Sequence, residues 1–136
     1  MDHTLLFPAL ATMIALAVYY SQGIFVSLAR TKYGIKPPHI TGNVEFERVF
    51  RVHYNTLEQL PVFLFPLWFF ALLVSGYWAG WLGLLWSVGR VGYMYGYYKG
   101  ADKRHSYGSV LAYIANIILI AGSLWAIVTG MLLLGA

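Results

Sequence analysis

Cysteine is absent from the 136-residue chain. Disulfides and cysteine-ligated zinc are excluded, and any thiol chemistry has to use a thiol brought in by a substrate. Charge is almost as scarce: 10% of the residues are charged and 60% are apolar, so an ordinary water-facing surface is hard to build. Residues 4–29, 59–89 and 106–136 contain no Asp, Glu, Lys or Arg. His3, His39, His53 and His105 lack the spacing of paired ligands, which argues against a metal site. No motif for a seryl nucleophile is present, and Ser106 beside His105 reads as a helix start. The N-terminus carries Asp2 and His3 but no basic n-region or small-residue cleavage site, so the first apolar run is expected to be a retained span rather than a leader.

What remains is long apolar runs. A spanning helix needs roughly 20 apolar residues. The 59–89 stretch is interrupted by Ser75-Gly76 and Gly80, which fit a tight turn. The expected architecture is an all-α, integral membrane four-helix bundle, with spans at about 5–29, 44–73, 79–99 and 106–133 in one domain over residues 1–136. The net charge of +4 is unevenly distributed. Arg30, Lys32, Lys36, Arg48 and Arg51 surround the first connection, and Lys99, Lys103 and Arg104 the third, whereas the second connection has no charge. The positive-inside rule makes the basic connections cytoplasmic and leaves both termini outside. Nucleic acid is not an expected partner, because the basic residues flank spans and no soluble domain accompanies them. Gly92, Gly96 and Gly100 repeat at the spacing that lets helices approach closely.

The unusual segment is 45–61, a polar opening to an otherwise apolar span. Arg48, Arg51, Asn55 and Glu58 follow spacings of three, four and three, one stripe on a helix. Counted from Glu45, Glu58 lies roughly 20 Å along it at about 1.5 Å per residue. A charge that deep facing lipid costs roughly 2.5 kcal/mol or more, so the stripe must face protein or a wet cavity. Arg90, Tyr93 and Tyr97 form a matching set on the third helix. Arg90 is the natural partner of a buried acid on the second, with Glu58 as one candidate. A buried network fixing helix register is the structural reading, and it suits Arg48 and Arg90. Arg51, Asn55, Glu58, Tyr93, Tyr97 and Arg104 together supply cations, an amide, a carboxylate and phenols, a mixture suited to a small zwitterion with carboxylates, an amine and amides.

Residues 46–61, with Pro37-Pro38 and Thr41-Gly42 upstream and Gly89-Arg90-Val91-Gly92-Tyr93 through Gly96-Tyr97-Tyr98 downstream, resemble the signature of the MAPEG family, the membrane-associated proteins in eicosanoid and glutathione metabolism. The resemblance spans all four predicted helices and is strongest to the microsomal glutathione transferase branch that includes the leukotriene-conjugating synthase. It implies a homotrimer with glutathione, as co-substrate, bound between subunits and open to the cytoplasm. Arg51, Asn55 and Glu58 match glutathione-holding residues, with Glu58 facing the amino group. Tyr93 and Tyr97 match tyrosines of the same site, and Arg30 and His53 match positions supplied by the adjacent subunit. Gln59 stands where a tyrosine contact is frequent, and Thr31 replaces an arginine of the leukotriene-conjugating synthase. Arg104 matches the arginine that holds the glutathione sulfur and is the candidate catalytic residue.

The expected activity is conjugation of glutathione thiolate to lipophilic electrophiles arriving from the bilayer, with reduction of lipid hydroperoxides as a second outcome. Membrane lipids are expected partners, and no basic tail marks retrieval to the endoplasmic reticulum, which favours a bacterial inner membrane. Two other classes stay open. One is a non-catalytic lipid-binding or scaffold protein of the same family. The other is a small transporter or channel subunit using Glu58 and Arg90, which the crowding of polar groups at one end disfavours.

Overall fold

The computed structural model describes residues 3–100 and 107–135. A short 3-10 turn, His3–Leu5, leads into four helices: α1 Leu6–Tyr33, α2 Val44–Leu73, α3 Gly76–Lys99 and α4 Tyr107–Leu133. Their bounds lie within a few residues of those read from the charge-free runs, and the two larger differences have local causes. The first helix continues to Tyr33, placing Arg30 and Lys32 in its last turn, where the carbonyl end of the helix dipole favours cations. It stops at Gly34, whose φ of 68° is left-handed and whose N–H donates to the Arg30 carbonyl, a conformation that costs glycine little.

The third helix begins at Gly76, earlier than expected, because Ser75 caps it: its side chain accepts from the Trp78 N–H at 3.4 Å. Gly80, expected in the turn, is therefore inside the helix. Its missing side chain makes room for the Phe7 ring, which a Cβ at this position would overlap. Asn43 caps α2 in the same way, accepting from Phe46 N–H at 3.0 Å. Pro61 and Pro66 both lie inside α2 without ending it. Such interruptions are tolerated in spanning helices packed against neighbours; beside Pro66 the Ser123 hydroxyl of α4, which bonds the Leu119 carbonyl of its own helix at 2.7 Å, also reaches the Pro66 carbonyl at 3.2 Å.

Three of the helices, α1, α2 and α4, are long and apolar enough to cross a membrane. At 24 residues, or roughly 36 Å, α3 falls short in apolarity rather than in length. It carries Arg90 and a run of tyrosines and glycines, and it packs against all three other helices. The bundle shelters the helix whose polar groups lipid would penalise most. α2 also touches the other three, leaving α1 and α4 on opposite sides of the α2–α3 pair.

The centre of the bundle is a stack of Phe63 on Trp86, ring centroids 4.1 Å apart, both fully buried with Leu67 and Leu119. Between α3 and α4 the backbones nearly touch. A Cβ on Gly89 would lie 2.6 Å from the Gly108 carbonyl oxygen, and one on Gly108 would lie 2.5 Å from backbone of Gly92 and Tyr93. In lipid, where apolar burial drives little association, such close van der Waals packing joins helices. The outer surface presents Leu10, Met13, Phe65, Leu72, Ile117 and Trp125, all more than half exposed, as suits an integral membrane protein.

Candidate functional site

The site residues sit where α2 leaves the first connection. Among the described residues the one ion pair is Arg48 with Glu45, at 3.1 Å between side chains three residues apart near the start of α2. A partly exposed pair of this kind contributes little, so Arg48 does not fix helix register in the way its place on the stripe suggested.

Arg90 does occupy a buried network, but its partners are not acids. Arg90 is 3% exposed. Its Nη2 donates to Asn55 Oδ1 at 3.0 Å and to Thr56 Oγ1 at 2.7 Å. The Thr56 hydroxyl spends its own proton on the Val52 carbonyl at 3.0 Å, which leaves its lone pairs for Arg90. The Arg90 guanidinium carbon also lies 4.5 Å from the Tyr93 ring centroid and 5.9 Å from that of Trp86, within range of cation–π attraction. Glu58, the acid offered as its partner, is instead exposed on the protomer surface. The relative rotation of α2 and α3 turns Asn55 and Thr56, not Glu58, toward Arg90.

Around this buried cation the other residues arrange in order. Tyr93 is buried, and its ring lies 5.5 Å from that of Tyr97. Tyr97, Arg48 and Arg51 line a cavity of about 390 Å³ together with Ile40, Val44, Glu47 and Phe50. Arg51 is exposed and also acts electrostatically on Tyr93. The structure thus joins Arg51, Tyr97, Tyr93, Arg90 and Asn55 into one continuous set. Glu58 shares their flank of α2, seven residues and about two turns beyond Arg51.

His53 and Arg30 are on the other side. Two residues on a helix differ by about 200°, so His53 points away from both Arg51 and Asn55. Its ring stacks on Tyr19 of α1 with centroids 4.7 Å apart, in a second cavity of about 390 Å³ lined also by Tyr20, Gly23, Ile24 and Ser27. Arg30 donates to the His39 carbonyl at 2.7 Å and lies over the Phe46 ring at 4.9 Å, bracing the connection between α1 and α2. Gln59 is half-buried. Arg104 lies outside the described residues.

Two neighbours were missed from the sequence. Thr56 gave no signal except its place beside Asn55, because a threonine in a helix more often bonds its own backbone. Tyr113 of α4, exposed, acts electrostatically on both Arg90 and Tyr93, a proximity that only the packing of α4 on α3 creates.

On α2, between Thr12 of α1 and Trp68, an apolar groove of about 500 Å³ is lined by Leu57, Leu60, Pro61, Leu64 and Phe65. A polar cluster and an apolar groove thus share one helix, which can bring a charged and a lipophilic molecule close together.

Comparison with known proteins agrees with the motif. The chain is 48% identical over 123 residues to an uncharacterized protein of Synechocystis sp., covering 90% of this chain and 89% of that one. It is 44% identical over 79 residues to microsomal glutathione S-transferase 2 of Mus musculus, covering 58% of this chain and 54% of the relative, so the match spans about half the length of that protein. It is 31% identical over 115 residues to leukotriene C4 synthase of Bos taurus, covering 85% of this chain and 69% of the relative. The family model described as the MAPEG family matches residues 8–125, a stretch running from α1 into α4, and the chain belongs to that family.

Proposed function

We propose that this protein is a membrane-bound glutathione transferase that binds glutathione as its thiolate and conjugates it to lipophilic electrophiles drawn from the bilayer. The observation that carries the reading is the two-sided construction of α2. One flank bears Arg51 in the cavity with Tyr97, Asn55 bonded to Arg90, and Glu58 exposed further along; the other turns His53 toward α1, on which Arg30 also lies. A site using both sets needs two copies of the chain, one lending each flank. That arrangement calls for more than one copy of the chain, in this reading a homotrimer with glutathione between subunits, and it would cover Arg51 and Glu58, whose exposure to lipid would be costly.

In this reading Arg51 and Asn55 hold carboxylate and amide groups of the tripeptide and Glu58 takes its ammonium. Tyr93 and Tyr97 donate phenolic hydrogen bonds, and Arg30, His53 and Gln59 complete the pocket. Arg104 faces the sulfur. A free thiol has a pKa of about 8.5, so little is ionised at neutral pH. A fixed guanidinium favours the anion and cannot give up its own proton, and each unit by which it lowers the thiol pKa corresponds to about 1.4 kcal/mol. The thiolate lone pair then forms the new C–S bond while the electrophile's leaving group departs with its electron pair, or an epoxide C–O bond opens. The groove between Thr12 and Trp68 would take the apolar body of the electrophile. The basic connections would face the cytoplasm, and the Synechocystis relative agrees with a bacterial membrane.

The same groove favours a second reading, a non-catalytic protein that holds a fatty acid. A glutathione titration of the detergent-solubilised protein, followed by ultraviolet absorbance of bound thiolate at fixed pH, separates the two. A saturable signal that disappears in Arg104→Ala is the expected result. No signal at high glutathione from a folded oligomer would reject the transferase reading and leave the lipid-binding one.

A further inference from the structure

The Arg90–Asn55 bond has a chemical consequence that reaches the site surface. An arginine side chain has donors only, so the atom of Asn55 facing it must be the carbonyl oxygen, whichever way the amide is drawn. The carboxamide is planar, and its nitrogen points away from its oxygen. Arg90 lies inside the bundle, whereas Asn55 is half-buried on the flank shared with Arg51 and Glu58. The inward end of the amide is therefore an acceptor already in use, and its outward end is an N–H donor.

We propose that Arg90 is a positioning residue which fixes Asn55 as a donor toward the ligand, so that this part of the site selects a hydrogen-bond acceptor, a carboxylate or peptide carbonyl, and rejects an amine. Several contacts hold the device. Thr56 accepts a second bond from the same Nη2, and the Trp86 and Tyr93 rings flank the guanidinium. The faces turned to Arg90 thus present an amide oxygen, a hydroxyl and aromatic rings, with Tyr113 of α4 within electrostatic reach. Among the described residues no carboxylate pairs with it, so its charge is not cancelled locally and adds to the preference for an electron-rich group. The contact with Tyr93 ties the same cation to a second ligand-facing side chain. Glu58, on the same stripe, offers the opposite polarity, and the two positions together orient a molecule that has an acceptor at one place and an ammonium at another. The inference rests on the glutathione reading and specifies which groups of that ligand each position takes.

The test uses the full-length protein in detergent, with glutathione as ligand and chlorodinitrobenzene as electrophile. Asn55→Asp keeps the bond to Arg90 but replaces the outward donor with a second acceptor. It is expected to keep or raise the melting temperature while KM for glutathione rises by about thirtyfold or more. Arg90→Met frees the amide to rotate and is expected to raise KM by about tenfold or more with kcat at saturating glutathione nearly unchanged. Arg90→Lys, which can still donate to Asn55, recovers most of that loss. If Arg90→Met fails to fold, Asn55→Asp and Arg90→Lys carry the measurement. Wild-type-like KM in Asn55→Asp, or a loss in Arg90→Met confined to kcat, would overturn the role of Arg90 while leaving the transferase reading intact. Failure of the wild type itself to bind glutathione would overturn both.

Discussion

At the scale of single residues, the contrast between Arg90 and Glu58 is instructive. Both are ionisable groups on expected spans, and both were read as needing company. Arg90 found it within the protomer, from an amide, a hydroxyl and two rings. Glu58 is exposed there and pairs with no cation among the described residues, which leaves it open to a partner from a ligand or another subunit. If that partner is the ligand's ammonium, Glu58→Gln should raise KM for glutathione by about tenfold, the scale of a lost charge-assisted bond. A glutathione analogue without the α-amino group should bind the variant and the wild type equally weakly. Equal KM values for glutathione itself would assign Glu58 elsewhere. The residue types of this stripe were legible in the sequence because a charged group inside an apolar span is exceptional. Arg90's true partners were not legible, because the choice between Asn55 and Glu58 depends on the rotation of one helix against another.

At the scale of elements, helix positions follow from local chemistry: Asn43 and Ser75 as caps, Gly34 as a left-handed stop, charge-free runs between them. The joining of helices does not. Gly92 was expected to pack closely and does, with Gly108, but the tighter approach is at Gly89, which lies off the four-residue repeat. A methyl there would press on backbone atoms of Gly108 and Ala112, which cannot swing aside as a flexible side chain would. Gly89→Ala should therefore destabilise the protein by about 1–3 kcal/mol. Gly130→Ala, whose Cβ would meet nothing within 4 Å, should be neutral or slightly stabilising, since alanine favours helix. Thermal unfolding of both variants in one detergent checks this; equal melting temperatures would mean that α3 and α4 can move apart at no cost. Because Gly89 immediately precedes Arg90, the same substitution should also weaken glutathione binding.

At the scale of the whole molecule, the cavities on opposite flanks of α2 and the exposed charges point to an assembly. The mass of the detergent-extracted complex, corrected for bound detergent, should be three times the 15.3 kDa of the chain. A monomer that retains transferase activity would mean that the site needs only one flank of α2. The sequence by itself determined that the chain lives in a membrane, how many helices it forms and which residues carry polarity, because those follow from composition and from spacing along one helix. The motif at residues 46–61 also carried the family. Only the tertiary structure decided which side chains meet: Arg90 with Asn55 and Thr56, Tyr93 with Tyr97, His53 with Tyr19 on the far flank. Such meetings depend on the register and rotation of helices packed through small residues, and these are set by the shapes of all four at once.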